Sequence, residues 1–146
     1  MRVLIQRVSH ASVSVDGNII GKIGEGLLVF LGVADTDTDD DIKYLAEKCA
    51  GLRIFRDEDD KMNLSVRDID GEVLVISQFT LYGDCRKGKR PSFDKAGKPE
   101  FANMMYERFI EYMRTLVGNV QHGEFGADMK VDLLNNGPVT FMIESK

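Results

Sequence analysis

The chain has 146 residues, 43% of them hydrophobic and 29% charged, and a net charge of −5. That is enough for one domain, residues 1–146, with a core that needs no disulfide or metal staple. It excludes a helical membrane span, because no apolar run approaches the ~20 residues a bilayer requires, and the acidity argues against a generally nucleic-acid-binding surface.

Residues 1–8, Met-Arg-Val-Leu-Ile-Gln-Arg-Val, read as a first strand. Their apolar stretch is too short for a signal peptide and no small-residue cleavage site follows, so a cytoplasmic address is expected. Ala11 to Val15 alternates apolar and polar, Asp16-Gly17-Asn18 supplies a turn, and Ile19 to Ile23 returns. Asp-Gly between two such runs is a strong hairpin signal. After Gly24-Glu25-Gly26, the unbroken apolar run Leu27 to Val33 fits a central strand covered on both faces.

Asp35 to Asp41 holds five Asp in seven residues. A calcium loop of the EF-hand type needs Gly at its sixth place and Glu at its twelfth. Counted from Asp35, those places hold Asp40 and Ala46, so no metal is expected. The acids instead suit a helix start, where they satisfy free N–H groups and the helix dipole. Ile42, Leu45, Ala46, Cys49 and Leu52 continue at helical spacing. Cys49 therefore reads as buried, whereas Cys85 falls in a polar loop, and both are expected as free thiols.

Arg53 to Arg56 reads as a short strand, and Asp57 to Lys61 as a polar connection. Glu72 to Phe79 is a further strand, ending in Ser77-Gln78-Phe79-Thr80-Leu81. The segment Arg86–Lys98 then carries six basic residues and one acid, on a chain that is otherwise acidic. A basic loop on an acidic body can still meet phosphates. A long helix opens at Pro99, with Phe101, Met104, Met105, Phe109, Tyr112, Met113 and Leu116 on its period, and Gly118 stands where it should end. Strand patterns follow at Val120–His122, Met129–Leu133 and Val139–Glu144, the last after a Gly137-Pro138 break. The expected class is α+β: mostly antiparallel β-sheets forming a sandwich or barrel-like core with two main helices.

Conventional catalytic teams are missing. His10 and His122 are the only histidines, and neither is patterned against a serine or cysteine. Nucleophile-elbow, zincin and P-loop motifs are absent, and no Cys/His cluster has zinc spacing. Two segments remain. At Ser77-Gln78-Phe79-Thr80 a strand end exposes backbone N–H groups of the kind that build an oxyanion hole; the alternative is a simple strand end capped by its hydroxyls. At Asn136-Gly137-Pro138, proline belongs at a bulge, edge or turn.

These two segments, with the N-terminal Met1–Val8, Arg90-Pro91-Ser92-Phe93 and Gly123-Glu124-Phe125-Gly126-Ala127-Asp128-Met129, resemble the D-aminoacyl-tRNA deacylase (D-tyrosyl-tRNA deacylase) family along the whole chain. That family often has Asp where Asn136 stands. The resemblance implies a cofactor-free hydrolase acting on the ester bond of D-aminoacyl-tRNA. It implies a homodimer with active sites at the subunit interface, and Gly137-Pro138 as a cis pair reaching into the partner's pocket to exclude L-amino acids. Glycyl-tRNA, with no side chain to exclude, would also be accepted. Ser77, Gln78, Phe79 and Thr80 become the catalytic segment, Phe125 and Ala102 pocket lining, and Arg86, Lys87, Lys89 and Arg90 contacts to tRNA phosphates. The competing readings are a non-enzymatic RNA-binding module, and a hydrolase of small esters or amides with Thr80 as nucleophile.

Overall fold

The computed structural model describes residues 1–146. In chain order the elements are β1 (Arg2–Val15), β2 (Asn18–Ile23), β3 (Gly26–Gly32), α1 (Asp39–Gly51), β4 (Phe55–Arg56), β5 (Met62–Leu64), β6 (Glu72–Ser77), a 3-10 turn over Phe79–Tyr82, α2 (Pro99–Leu116), β7 (Asn119–His122) and β8 (Met129–Glu144). β1 is a single strand where the sequence suggested two pieces. No glycine or proline breaks Ser9-His10, so extended backbone carries through. The irregularity falls on the pairing instead, as a register shift against β8 between Val8 and His10. At the β1–β2 turn, Asp16 and Gly17 both take positive φ, 51° and 79°, as a tight hairpin of this twist requires.

The main sheet runs β2-β1-β3-β6-β7, with β8 on the other side of β1; β4 and β5 form a small separate hairpin. β1 pairs antiparallel with β2, β3 and β8. β3–β6 and β6–β7 are parallel, because α1 and α2 lie in the connections that carry the chain back. Hairpin linkage therefore covers only part of the sheet. β2 curls round to lie near β6 and β7, giving a nearly closed, barrel-like sheet of α+β class.

β3 explains the two-sided core. All its residues except Phe30 are buried. Leu27, Val29 and Leu31 point to the larger cluster, under α1 and α2, with Leu45, Phe109 and Met113. Leu28 points to the smaller cluster inside the curl, with Val8, Val13, Leu74 and Ile76. No helix is long and apolar enough to cross a membrane.

Local chemistry sets the helix ends. Thr38 caps α1, and the Asp41 carboxylate reaches back to accept the Thr38 N–H at 2.7 Å, completing a capping box. Pro99 occupies the start of α2. The other end departs from expectation: Val117 leaves the helix in extended conformation, and Gly118 is not among the positive-φ glycines. The 57–61 connection is the β4–β5 turn, tied down by Asp57, whose carboxylate accepts the N–H groups of Asp59 and Lys61. Cys49 is buried and Cys85 exposed, both free; burial pushes the Cys49 thiol up to about 12.

Asp41 gives the fold an acid limit. Burial pushes its pKa up, but hydrogen bonds from Ser145, Thr38 and Lys146 outweigh that and set it at about 2. A carboxyl held below its unfolded value stabilises the fold fully above that unfolded value, and the stabilisation is lost as pH falls through the folded one. Against a reference of 3.8, the contribution is about 2 kcal/mol. Denaturant unfolding of the wild type and Asp41→Asn should therefore show a stability gap that shrinks between about pH 4 and pH 2. A gap that stays constant over that range would refute this origin.

Candidate functional site

β6 carries the first motif to the rim of a cleft of about 470 Å³. Its last paired residue is Ser77. Gln78 still donates its N–H to the Leu31 carbonyl at 2.8 Å, and then the chain tightens into the 3-10 turn. Leu81 N–H donates to the Gln78 carbonyl at 3.2 Å and Gly83 N–H to the Thr80 carbonyl at 2.9 Å. Buried Tyr82 anchors the turn, with the Arg2 guanidinium 4.4 Å from its ring centroid. Gly32 lets the turn pack close: a Cβ there would lie 3.1 Å from Leu81 Cβ and 3.2 Å from the Gln78 carbonyl oxygen. Phe79 and Thr80, as the first residues of the turn, keep N–H groups that the turn itself cannot use.

Ser77, Gln78 and Phe79 form one wall of the cleft, Ala102 with Pro99 at the start of α2 another, and Phe125 to Ala127 with Met129 and Val131 the third. Five of the sequence-derived residues thus meet around one cavity. Thr80 stands beside it without lining it, and its hydroxyl accepts a hydrogen bond from the Gln78 side-chain amide. An amide donor cannot take a proton from that hydroxyl. None of the lining residues is titratable.

Tyr106 fixes the third wall. Its hydroxyl donates toward the Val75 carbonyl at 3.0 Å and the Gly123 carbonyl at 3.3 Å, tying the 123–126 loop to β6, and its ring lies 6.0 Å from that of Phe125. Burial pushes its phenol well above the ordinary tyrosine range. Sequence reading missed Tyr106, although it stands one turn after Ala102 on the same helix face.

A larger cleft of about 610 Å³ lies between α2 and the β1–β2 hairpin. Its rim includes Asp16, Glu107, Glu111 and Glu124, with Arg114 and His122. Among the candidate site residues only Phe125 reaches it. Four carboxylates at its rim make it the less suitable of the two for a phosphate-bearing ligand.

The second motif is elsewhere in the protomer. Val8 pairs with Asn135 and Gln6 with Thr140, so Asn136 to Val139 bulge out opposite Arg7 alone. The Gly137–Pro138 peptide is cis and Gly137 has φ 129°. Buried Arg7 donates from Nε to the Asn136 carbonyl at 3.0 Å and from Nη1 to the Ile54 carbonyl at 2.6 Å. The Asn135 amide spans the bulge, donating to the Arg7 and Val139 carbonyls at 3.0 Å each. Both residues were missed. Arg7 had left a signal, a charge at an inward position of a strand whose neighbours Val3 and Ile5 are core. Gly137 and Pro138 are exposed and do not line the cleft of their own chain.

Arg86, Lys87, Lys89 and Arg90 sit on an exposed loop clamped at its base, where Asp84 and Ser92 exchange backbone hydrogen bonds of 2.7 and 3.0 Å. Arg86 is paired with Asp84 at 2.5 Å; its hydrogen bonds hold the Asp84 carboxyl well below the usual carboxylate range. Lys87, Lys89 and Arg90 form no ion pair.

Comparison with known proteins places this geometry in context. Residues 4–144 match the model of the family described as D-Tyr-tRNA(Tyr) deacylase. A D-aminoacyl-tRNA deacylase of Clostridium beijerinckii is 56% identical over 146 residues, covering 100% of this chain and 98% of that protein. One from Thermotoga petrophila is 57% identical over 145 residues, covering 99% and 97%. Among solved structures, one described as c-Myc DNA Unwinding Element Binding Protein superposes with a TM-score of 0.95 at 40% identity, covering 100% of this chain and 99% of that one. A probable eukaryotic D-amino acid tRNA deacylase superposes with a TM-score of 0.84 at 17% identity over 98% of both chains, a likeness of fold.

Proposed function

This chain belongs to the D-Tyr-tRNA(Tyr) deacylase family of hydrolases, and on that premise we propose that it cleaves the ester of D-aminoacyl-tRNA to give free D-amino acid and tRNA. The observation that carries the mechanism is the absence of any titratable side chain from the cleft wall. With no base on this wall, backbone and substrate supply the chemistry in this reading. Water adds to the ester carbonyl carbon, and the N–H groups of Phe79 and Thr80 receive the developing oxyanion. Donors of this kind are worth about 3–4 kcal/mol each in oxyanion holes. The vicinal ribose hydroxyl orients the water; as the bond from the carbonyl carbon to the ribose oxygen breaks, the proton given up by the water passes to that oxygen, which leaves as the ribose hydroxyl.

Selectivity for handedness is assigned to a second copy of the chain. Its Gly137-Pro138 carbonyls enter the cleft and crowd the substrate α-carbon, so an L side chain meets backbone while a D side chain points away. Two features support this reading. The motif lies outside the cleft of its own protomer, and β8, paired only with β1, leaves Leu134, Phe141 and Met142 exposed along its length, apolar surface of the kind a partner covers. Glycine escapes exclusion, because sterics alone cannot strongly reject a smaller substrate. The loop bearing Arg86, Lys87, Lys89 and Arg90 meets tRNA phosphates, which position without reading sequence. The substrate puts the enzyme in the cytoplasm.

The direct test is to follow amino-acid release from D-tyrosyl-, L-tyrosyl- and glycyl-tRNA. The D and glycyl esters should be hydrolysed and the L ester spared; equal hydrolysis of D and L would refute the reading. In the same assay Thr80→Ala should stay within about tenfold of wild type, since its hydroxyl has no base. A fall of about 10⁴-fold or more in a folded variant, the scale of losing a true nucleophile, would restore the Thr80 mechanism.

A further inference from the structure

We propose that Phe79 and Phe93 form a stacking platform for the unpaired 3′ end of the RNA substrate, immediately outside the cleft. The inference rests on the deacylase reading above and extends it to the nucleotides that precede the terminal adenosine. Both rings stand in water. Phe79 is 56% exposed and Phe93 37%, in a chain that buries Phe55 and Phe109 almost completely. Their centroids are 4.9 Å apart with planes inclined at 65°, so they support one another edge to face and leave ring surface uncovered. Phe79 is also part of the cleft wall, which makes the pair continuous with the site.

The platform is built into the basic loop. Phe93 follows Ser92, which the Asp84 backbone bridge holds in place. Its carbonyl accepts the Ala96 N–H at 2.9 Å. Its ring edge lies over Gly83, where a Cβ would come within 3.2 Å of Cε1, so the missing side chain at Gly83 seats the ring. Lys87, Lys89 and Arg90, free of ion pairs, belong to the same loop. Exposed aromatic faces beside unpaired cations are what single-stranded nucleic acid recognises: phosphates take the charges and bases take the rings, with little demand on sequence. The charge decides the occupant, because an apolar protein partner would not select a rim of uncompensated lysine and arginine.

Steady-state kinetics on two substrates test this. One is D-tyrosyl-tRNA; the other is the D-tyrosyl ester of adenosine alone, which lacks the preceding nucleotides. Phe93→Ala should raise KM for the tRNA ester about tenfold, the loss of one base–aromatic stack, with kcat little changed. Phe93→Tyr, which keeps the ring face, should restore KM, while Phe93→Leu should not. On the adenosine ester all three variants should match wild type. An unchanged KM for the tRNA ester in Phe93→Ala would overturn the platform. So would an equal loss on both substrates, which would make Phe93 a support of the cleft, or a change of oligomeric state in Phe93→Ala, which would make the ring a contact between copies. Wild-type enzyme inactive on both esters would instead bring down the deacylase reading, and the platform with it.

Discussion

Gly137→Ala is expected to reduce hydrolysis of a D-aminoacyl-tRNA about 100-fold, because carbonyls displaced by about an ångström would misplace the substrate α-carbon that they crowd. Gly137 sits at φ 129°, a region that L side chains rarely adopt. An added Cβ would lie 2.7 Å from Arg7 Nη2 and 2.9 Å from Val139 Cγ2. Arg7 has little freedom to yield, because its guanidinium is already committed to the Asn136 and Ile54 carbonyls. The backbone of the bulge must therefore move, and with it the carbonyls proposed to screen the substrate. Gly137 is exposed, so the stability cost should stay near that of one strained residue, about 1–3 kcal/mol. The decisive readout is the ratio of D to L hydrolysis, which should fall. A folded variant with unchanged rate and unchanged ratio would remove Gly137 from the selectivity device.

Mixing two inactive variants should regenerate activity. Ala102 is 6% exposed and lines the cleft at the start of α2, so Ala102→Phe fills the cavity while leaving that chain's Gly137-Pro138 intact. Gly137→Ala has the opposite defect. In a dimer of one chain of each kind, one site combines the sound cleft with the sound Gly-Pro segment. Random exchange would give roughly one quarter of wild-type activity, since half the dimers are mixed and each holds one good site of two. Separately, each homodimer should be nearly inactive. The measurement is deacylation of D-tyrosyl-tRNA before and after subunit exchange. No gain, with exchange confirmed by mass, would show that cleft and Gly-Pro segment do not act across the subunit boundary.

The roles of Arg7 and Asn135, which hold the Gly137-Pro138 bulge, were not assigned from the sequence. Their roles depend on which strand lies opposite. Asn135 bonds the carbonyls of Arg7 and Val139, and the first of those partners is 128 residues away. Tyr106 was hidden for the same reason, since its acceptors belong to β6 and to the loop after β7. Parallel pairing of β3, β6 and β7 was equally out of reach. Apolar strands can pair in either direction, and only the packing of α1 and α2 over them fixes the choice.

The sequence alone determined what short-range physics controls. Asp16-Gly17 fixed a hairpin, the acids before Ile42 and Pro99 fixed two helix starts, and the run from Leu27 fixed a strand buried on both faces. The ordered motifs also pointed to the family. Tertiary structure alone decided that Ser77, Ala102 and Phe125 share one cleft, that no titratable group joins them, and that Gly137-Pro138 lies outside it. Capping and turn chemistry act over a few residues and can be read in a line. A cavity is made by segments whose only relation is distance in space, set when the sheet curls and buries its core.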